Sequence, residues 1–315
     1  MRIAVTGASG FVGRELVGRL RAQGHVAVPI VRRSGGLPGE LVAGALEDAD
    51  LSFLARGLTD VDAVAHLAAR THILNDSSDG LALYRQTNVA GTERLLQAAA
   101  AAGVPRLVYM SSIKVNGEET RVGQRFSGSD TPAPEDAYGR TKLEAEQLVV
   151  ASGCRTVILR PPLVYGADVG GNFGRLVAAV RRGIPLPLGR VQNKRSLISV
   201  RNLADATVRA LTQDTLTGAV LTVSDGIDAS TKELVVAIGE AVGRAARLVP
   251  VPVSTLRMAG RLLGRGEEIR RLVGDLQVDA EQARDVLSWT PGEQLSSALH
   301  RMLANPASRG YETRP

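Results

Sequence analysis

Thr6-Gly7-Ala8-Ser9-Gly10-Phe11-Val12-Gly13 stands between an apolar run, Arg2–Thr6, and a segment of helical periodicity, Phe11–Gln23. Its glycines are spaced G-x-x-G-x-x-G. Gly7 permits a tight turn. Gly10 lets the backbone approach a pyrophosphate at a helix N-terminus, where free N–H groups and the helix dipole favour negative charge. Gly13 allows helix and strand to pack closely. Three glycines alone are a weak signal. Here they follow a strand and open a helix, which is the context a dinucleotide-binding loop requires, and Gly7, Gly10, Phe11, Val12 and Gly13 become candidate cofactor contacts.

Outward from this loop the first half of the chain alternates strand and helix. Val26–Val31, Val61–Leu67, Arg106–Ser111 and Arg155–Leu159 read as strands, with helical stretches at Leu81–Ala102 and Tyr138–Ala151. The strands are apolar throughout rather than alternating, which predicts a parallel sheet covered on both faces. Right-handed crossovers then give a doubly wound, Rossmann-type α/β sheet. The second half differs: short strands at Ser196–Val200 and Ala219–Val223, and helices at Asn172–Arg182, Arg201–Gln213, Thr231–Val242, Val253–Leu263 and Ala280–Leu287. The expected organisation is a nucleotide-binding domain over residues 1–165, to which 196–218 returns. A smaller, mostly helical substrate region then covers 166–195 and 219–305, with a tail at 306–315.

Composition narrows the function. With 44% hydrophobic and 22% charged residues, the 315-residue chain is globular rather than disordered. Its single cysteine, Cys154, excludes an intrachain disulfide and argues against a Cys-based zinc site, so no metal is expected and a reducing cytoplasmic location fits. Aromatic residues are 3% of the chain, too few for a platform that stacks single-stranded nucleic acid. The net charge of +6 comes from Lys and Arg interspersed with Asp and Glu, which suits an anionic small substrate better than DNA or RNA. No segment is long enough to span a membrane, and Met1-Arg2-Ile3-Ala4-Val5 lacks the apolar length of a signal peptide.

At the end of the second strand a Rossmann unit usually places an acid on the adenosine ribose. This chain has Val31-Arg32-Arg33-Ser34. Two guanidiniums suit a 2′-phosphate, which predicts a preference for NADP(H). The alternative is two solvated arginines with NAD(H) bound less selectively. Farther on, Tyr138-Gly139-Arg140-Thr141-Lys142 contains Y-x-x-x-K, two side chains on one helix face. An ammonium beside the phenol is expected to lower its pKa from about 10 and make Tyr138 an acid/base group. Such a pair also arises by chance. Ser111 and Ser112 raise its significance, because they end the apolar strand Leu107-Val108-Tyr109-Met110, where a doubly wound sheet holds its ligands.

In these residues the chain resembles the extended short-chain dehydrogenase/reductases of the nucleotide-sugar epimerase/dehydratase family. The matching pieces are Thr6–Gly13, His66-Leu67-Ala68-Ala69, Asn88-Val89-Ala90-Gly91-Thr92, Ser111-Ser112, Tyr138–Lys142 and Arg160-Pro161-Pro162-Leu163-Val164-Tyr165-Gly166, in family order. The resemblance implies that Tyr138 is the acid/base, Lys142 its electrostatic partner and a ribose ligand, and Ser112 the hydroxyl that orients the substrate. It implies cofactor contacts at Leu67, Ala68, Ala69, Ser111 and Pro161, support from Asn88, and an adenine contact at Leu46, although Ala45 replaces the usual Asp. His66 ends a strand and reads as a packed residue. Asn172 and Arg195 resemble the family's diphosphate contacts; Arg195 could equally be a surface cation before a strand. Leu163 stands where many relatives carry Asn.

The family's dehydratases follow the catalytic Ser/Thr with Asp-Glu; here Ser112 is followed by Ile113-Lys114, which argues against dehydration. The resemblance leaves an NADPH-dependent 4-ketoreductase acting on a UDP-4-keto-6-deoxy-N-acetylhexosamine, favoured by Arg32 and Arg33, and a UDP-hexose or UDP-N-acetylhexosamine 4-epimerase with bound NAD. A third class, non-catalytic NAD(P)-binding sensors or assembly factors, typically loses the Tyr–Lys pair kept here. The family also implies a homodimer through the helices containing Asn88–Ala102 and Tyr138–Ala151.

Overall fold

Thr6 lies in register with Ile30 on one side and His66 on the other, so the strand that enters the glycine loop is central in its sheet. A computed structural model describes residues 1–71, 78–167 and 171–303, the side chains of 78, 79 and 172 apart. The tail expected at 306–315 lies outside the described residues.

In chain order the first elements are β1 (Arg2–Thr6), α1 (Phe11–Ala22), β2 (Val26–Val31), β3 (Leu41–Val42), α2 (Leu51–Gly57), β4 (Ala63–His66), α3 (Ser78–Arg85) and α4 (Gly91–Ala101). There follow β5 (Arg106–Met110), α5 (Ala137–Ala151), β6 (Arg155–Arg160), β7 (Leu163–Tyr165), α6 (Gly171–Arg182), β8 (Leu197–Ser199), α7 (Val200–Thr212) and β9 (Ala219–Thr222). The last are α8 (Thr231–Ala241), α9 (Val253–Leu262), α10 (Gly266–Val273), α11 (Glu281–Leu287) and α12 (Leu295–Leu303).

Seven strands form one parallel sheet in the order β3-β2-β1-β4-β5-β6-β9. The chain runs outward from β1 to β3, then returns to the far side of β1 at β4. That reversal makes a crevice at the carboxyl ends of β1 and β4, the place where open α/β sheets bind ligands. One apolar core, with Leu16, Leu20, Leu203, Leu211 and Trp289, covers one face of the sheet. A second, with Leu54, Leu95, Leu107 and Val149, covers the other. Both faces are buried, and the strands accordingly read as continuous apolar runs.

Two expectations need adjustment. The boundary expected at 218/219 does not follow the sheet: Ala219–Thr222 pairs with β6 and extends the main sheet, while Leu197–Ser199 pairs with β7 in a separate two-stranded sheet. The continuous helix expected over Leu81–Ala102 is broken by a π-helical turn at Gln86–Ala90, between α3 and α4. Such turns concentrate at functional sites, and this one carries Asn88. Beyond the sheet, α6, α8 and α12 enclose a core of their own around Tyr165, Phe173, Ile238 and Leu299.

Candidate functional site

Gly7 has φ +67°, and a Cβ there would stand 2.8 Å from the backbone N of Ala68. A Cβ on Gly13 would overlap the Gly7 carbonyl oxygen and lie 2.7 Å from the Ala8 Cα. Both glycines are therefore required by backbone on backbone; Gly13 packs against the loop itself. Gly10 is the N-cap of α1 and supplies no side-chain cap, and the first turn carries no acid. The free N–H groups of that turn are left to an anion. The Phe11 ring lies against Gly166, where an added Cβ would be 2.9 Å from it. The loop fits a dinucleotide's pyrophosphate.

The wall beside the loop is polar and fully buried. Thr6 Oγ1 accepts from the N–H groups of Leu67 and Ala68, both at 3.1 Å, which fixes the expected cofactor-lining segment against β1. With its lone pairs so engaged, the Thr6 hydroxyl donates to His66 Nδ1 at 2.7 Å. His66 Nε2 then donates to Thr92 Oγ1 at 2.8 Å, and Thr92 donates to the Asn88 carbonyl at 2.6 Å. Asn88 Oδ1 accepts from Arg70 N at 2.8 Å, and its amide donates to Thr141 on α5 at 3.1 Å. His66 is thus more than packing. It joins the glycine loop to the π-turn, and burial, with Lys142 nearby, pushes its pKa down to about 3. Asn88 ties the segment after Ala69 to the helix of Tyr138.

Ser112, Tyr138 and Lys142 come together at the ends of β5 and the start of α5. Asp136 caps α5 by accepting from Gly139 N at 2.7 Å, which sets the register that presents Tyr138. The Ser112 hydroxyl lies beside the Tyr138 phenol and accepts from Lys114 N at 3.3 Å. Lys142 is 1% exposed, and its ammonium lies 4.1 Å from the centroid of the Tyr109 ring.

The electrostatics depart from expectation. Tyr138 is not lowered by Lys142. Burial, with Asp136 and Tyr84 beside it, raises its pKa well above the ordinary phenol value, and the neighbouring Ser112 hydroxyl acts the other way. Lys142 is itself pushed down to about 7 by burial, opposed by Glu146. The physical reason is that both groups are desolvated, which penalises phenolate and ammonium alike.

The other predicted residues divide. Leu46 is buried in a short turn against Gly91 on α4. Pro161 is buried, and its carbonyl accepts from Ile113 N at 3.0 Å, setting the turn after Ser112. The Ser111 hydroxyl is committed to Glu146, which leaves the backbone of Ser111 for the expected cofactor contact. Arg32 and Arg33 are exposed at the end of β2. In the loop that follows, Glu40 accepts from the Ser34 hydroxyl and from the N–H groups of Leu37 at 3.0 Å and Gly35 at 3.2 Å. A carboxylate therefore already occupies the donors beside the two arginines. Arg195 is half-buried rather than a surface cation: Nη1 donates to the Gly274 carbonyl at 3.1 Å, and Glu118, Glu119 and Asp275 oppose the downward push of burial. The Asn172 side chain lies outside the described residues.

Several site residues escaped sequence reasoning. Arg160 donates to Glu146 through Nε at 2.9 Å and Nη2 at 2.6 Å, and through Nη1 to Asn116 at 3.1 Å. Glu146 lies four residues past Lys142, a spacing visible in the sequence. Tyr84 sets its ring 5.9 Å from that of Tyr138. Lys114 pairs with Glu118 at 2.8 Å and with Asp136, so it braces the cap of α5. Among the described residues no cluster of metal-ligating side chains occurs, and no helix is long and apolar enough to cross a membrane.

Comparison with known proteins agrees with this geometry. The chain is 40% identical over 309 residues, 94% of its length and 93% of the relative's, to a UDP-glucose 4-epimerase from Vibrio cholerae. It is 31% identical over 318 residues, 96% of its length and 94% of the relative's, to a dTDP-6-deoxy-L-talose 4-dehydrogenase (NAD(P)(+)) from Kitasatospora kifunensis. The solved structure of MoeE5 in complex with UDP-glucuronic acid and NAD superimposes with a TM-score of 0.78 at 28% identity, covering 96% of this chain and 98% of that one. Residues 3–223 match the NAD dependent epimerase/dehydratase family, and the chain belongs to it, on an extended short-chain dehydrogenase/reductase fold.

Proposed function

We propose that the protein inverts C4 of a UDP-hexose or UDP-N-acetylhexosamine. The observation that carries this is the gathering of Ser112, Tyr138 and buried Lys142 at the strand ends next to the glycine loop, with no carboxylate in the two positions after Ser112. A dinucleotide held by Gly7, Gly10 and the first turn of α1 supplies the two-electron acceptor and donor for C4. Tyr138 takes the proton from O4 as C4 is oxidised and returns it once the sugar has presented its other face. Ser112 holds O4 in line with the phenol. Lys142, when charged, offsets the negative charge that develops on Tyr138. Dehydration would need an acid and a base where this chain has Ile113 and Lys114, and Lys114 is occupied with Glu118 and Asp136.

The full-length similarity to a UDP-glucose 4-epimerase and the occupation of the loop after β2 by Glu40 favour epimerisation with NAD. A second reading, reduction of a UDP-4-keto-6-deoxy-N-acetylhexosamine by NADPH, is supported by exposed Arg32 and Arg33 and by the similarity to an NAD(P)-using 4-dehydrogenase. We further propose that Arg195 and Asn172 serve the substrate's diphosphate, that the protein works in the cytoplasm, and that it forms a homodimer through α4 and α5.

The test is incubation of the purified protein with UDP-glucose and, separately, UDP-N-acetylglucosamine, with NAD and without added reductant, followed by chromatographic separation of the C4 epimers. Epimer formation supports the proposal. No epimer, together with oxidation of NADPH by the 4-keto sugar, assigns the reductase instead. Neither activity, with dinucleotide bound, would return weight to a binding protein.

A further inference from the structure

We propose that α9 and the turn after it dock the protein on an anionic lipid surface: Met258, Leu262 and Leu263 enter the headgroup layer, and Arg257, Arg261 and Arg265 meet the lipid phosphates. The inference is independent of the reaction assigned above. It starts from a helix that is apolar on two sides. The inner side of α9 is used by the fold. Leu256 and Gly260 are buried, Val253 packs on the core of the substrate region, and a Cβ on Gly260 would stand 2.6 Å from Ile269 Cγ1 on α10. The outer side carries Met258 and Leu262, one helical turn apart and 59% and 81% exposed, followed by Leu263 at 74%. A surface helix of a globular protein keeps its apolar residues in one stripe facing the core. The second ridge adds nothing to that packing. Nor is it a loose end: Leu263, Gly264 and Arg265 donate their N–H groups to the carbonyls of Ala259, Arg261 and Gly260 at 3.0, 3.3 and 2.7 Å, and Gly264 closes the turn at φ +67°. The two leucines are held outward by a formed C-terminal turn.

The charge around the ridge says what it meets. Residues 241–266 include five arginines, at 244, 247, 257, 261 and 265, and no Asp or Glu. Arg257 pairs with Glu119 at 3.2 Å, while among the described residues no carboxylate pairs with Arg261 or Arg265. On α10, Glu267 is engaged by Arg270 at 3.0 Å, and Glu268 is exposed beside it. Arg261 lies one turn past Arg257, so both flank the ridge, and an arginine can lay its stem along apolar surface while its guanidinium reaches a phosphate. Val122, 94% exposed and next to Arg121, lines a surface hollow together with Arg257, which adds a second apolar point beside the helix. A small apolar ridge rimmed by unpaired guanidiniums is complementary to an anionic bilayer, whose phosphates take the charge and whose acyl boundary takes the side chains. A stable protein partner would cover roughly 800 Å² on each side, far more than three side chains present.

The test is flotation of the full chain with vesicles of phosphatidylglycerol and phosphatidylethanolamine in equal parts, and with vesicles of phosphatidylcholine alone. The expected result is binding to the anionic vesicles, weakened by salt at about 0.5 M, and none to the neutral ones. The double variant Leu262→Ser/Leu263→Ser should lower the partition constant about tenfold or more, and Arg261→Glu about tenfold. Both changes are at exposed positions, so the thermal midpoint should stay put, and Ile227→Ser, exposed elsewhere on the molecule, should bind as the unmodified protein does. Absence of flotation with anionic vesicles, equal flotation with neutral ones, or unchanged binding by the leucine variant overturns the proposal. So does a fall in molecular mass by light scattering in the leucine variant without any vesicle binding, which would make the ridge a contact between copies of the chain.

Discussion

Replacing His66 by glutamine isolates one term of the acid sensitivity of this fold. The ring is buried between Thr6 and Thr92, and its folded-state pKa of about 3 lies far below the ordinary 6.5. Between those values the unfolded chain binds a proton that the folded chain does not, so the contribution is fully present above about pH 6.5 and is lost as pH falls towards 3. At about pH 5 the loss is roughly 2 kcal/mol, and at the foot of the interval it approaches roughly 5 kcal/mol at about 1.36 kcal/mol per pH unit. Glutamine can accept from Thr6 and donate to Thr92 without titrating. Any packing penalty it brings is the same at both pH values and cancels in the comparison. Urea unfolding of both proteins at about pH 7.5 and about pH 5 should therefore show the unmodified chain losing roughly 2 kcal/mol more than His66→Gln. Equal losses would mean that the ring is not held neutral, and the hydrogen-bond directions assigned from Thr6 through His66 to Asn88 would be wrong.

Tyr138→Phe keeps the ring and removes the proton carrier, so kcat should fall by about 10²–10⁴ with dinucleotide affinity nearly unchanged; retention of more than about a tenth of kcat would assign the proton to another group. Gly13→Ala forces a methyl into the backbone of Gly7 and Ala8, and should cost roughly 3 kcal/mol of stability, read as a drop in thermal midpoint, together with dinucleotide binding measured by calorimetry. Arg32→Asp should reduce the ratio of NADPH to NADH affinity by about tenfold or more, and tighter NADH binding by the unmodified protein would remove the case for NADP preference. Light scattering at micromolar concentration should give twice the chain mass, and Val150→Asp on the exposed face of α5 should shift it to one.

What could be read from the sequence was what neighbouring residues decide among themselves. In the G-x-x-G-x-x-G loop the need for Gly13 is local, against Gly7 and Ala8, although Gly7 also needs its space against the distant Ala68. The π-turn at Gln86–Ala90 could not be read this way. One extra residue per turn leaves the apolar pattern of Leu81–Ala102 almost intact, and the turn is held from outside, by the Arg70 backbone on Asn88. The short helix α2 was missed although its cap, Asp50 accepting from Phe53 N at 2.6 Å, carries a local signal. Seven residues are too few to show a period. The boundary at 218/219 failed for a different reason: whether Ala219–Thr222 pairs with β6 or with the second region is decided by the crossover, not by the strand's own residues.

The same division runs through the site. Tyr138 and Lys142 could be paired from spacing because a helix turns spacing into proximity. Ser111, Glu146 and Arg160 come from the end of β5, from α5 and from the end of β6, and only the sheet order brings them together. Burial, rather than spacing along the helix, sets the direction for Tyr138. A helix wheel places an ammonium beside a phenol as though both were in water. The sheet buries both, and burial acts against each charge separately.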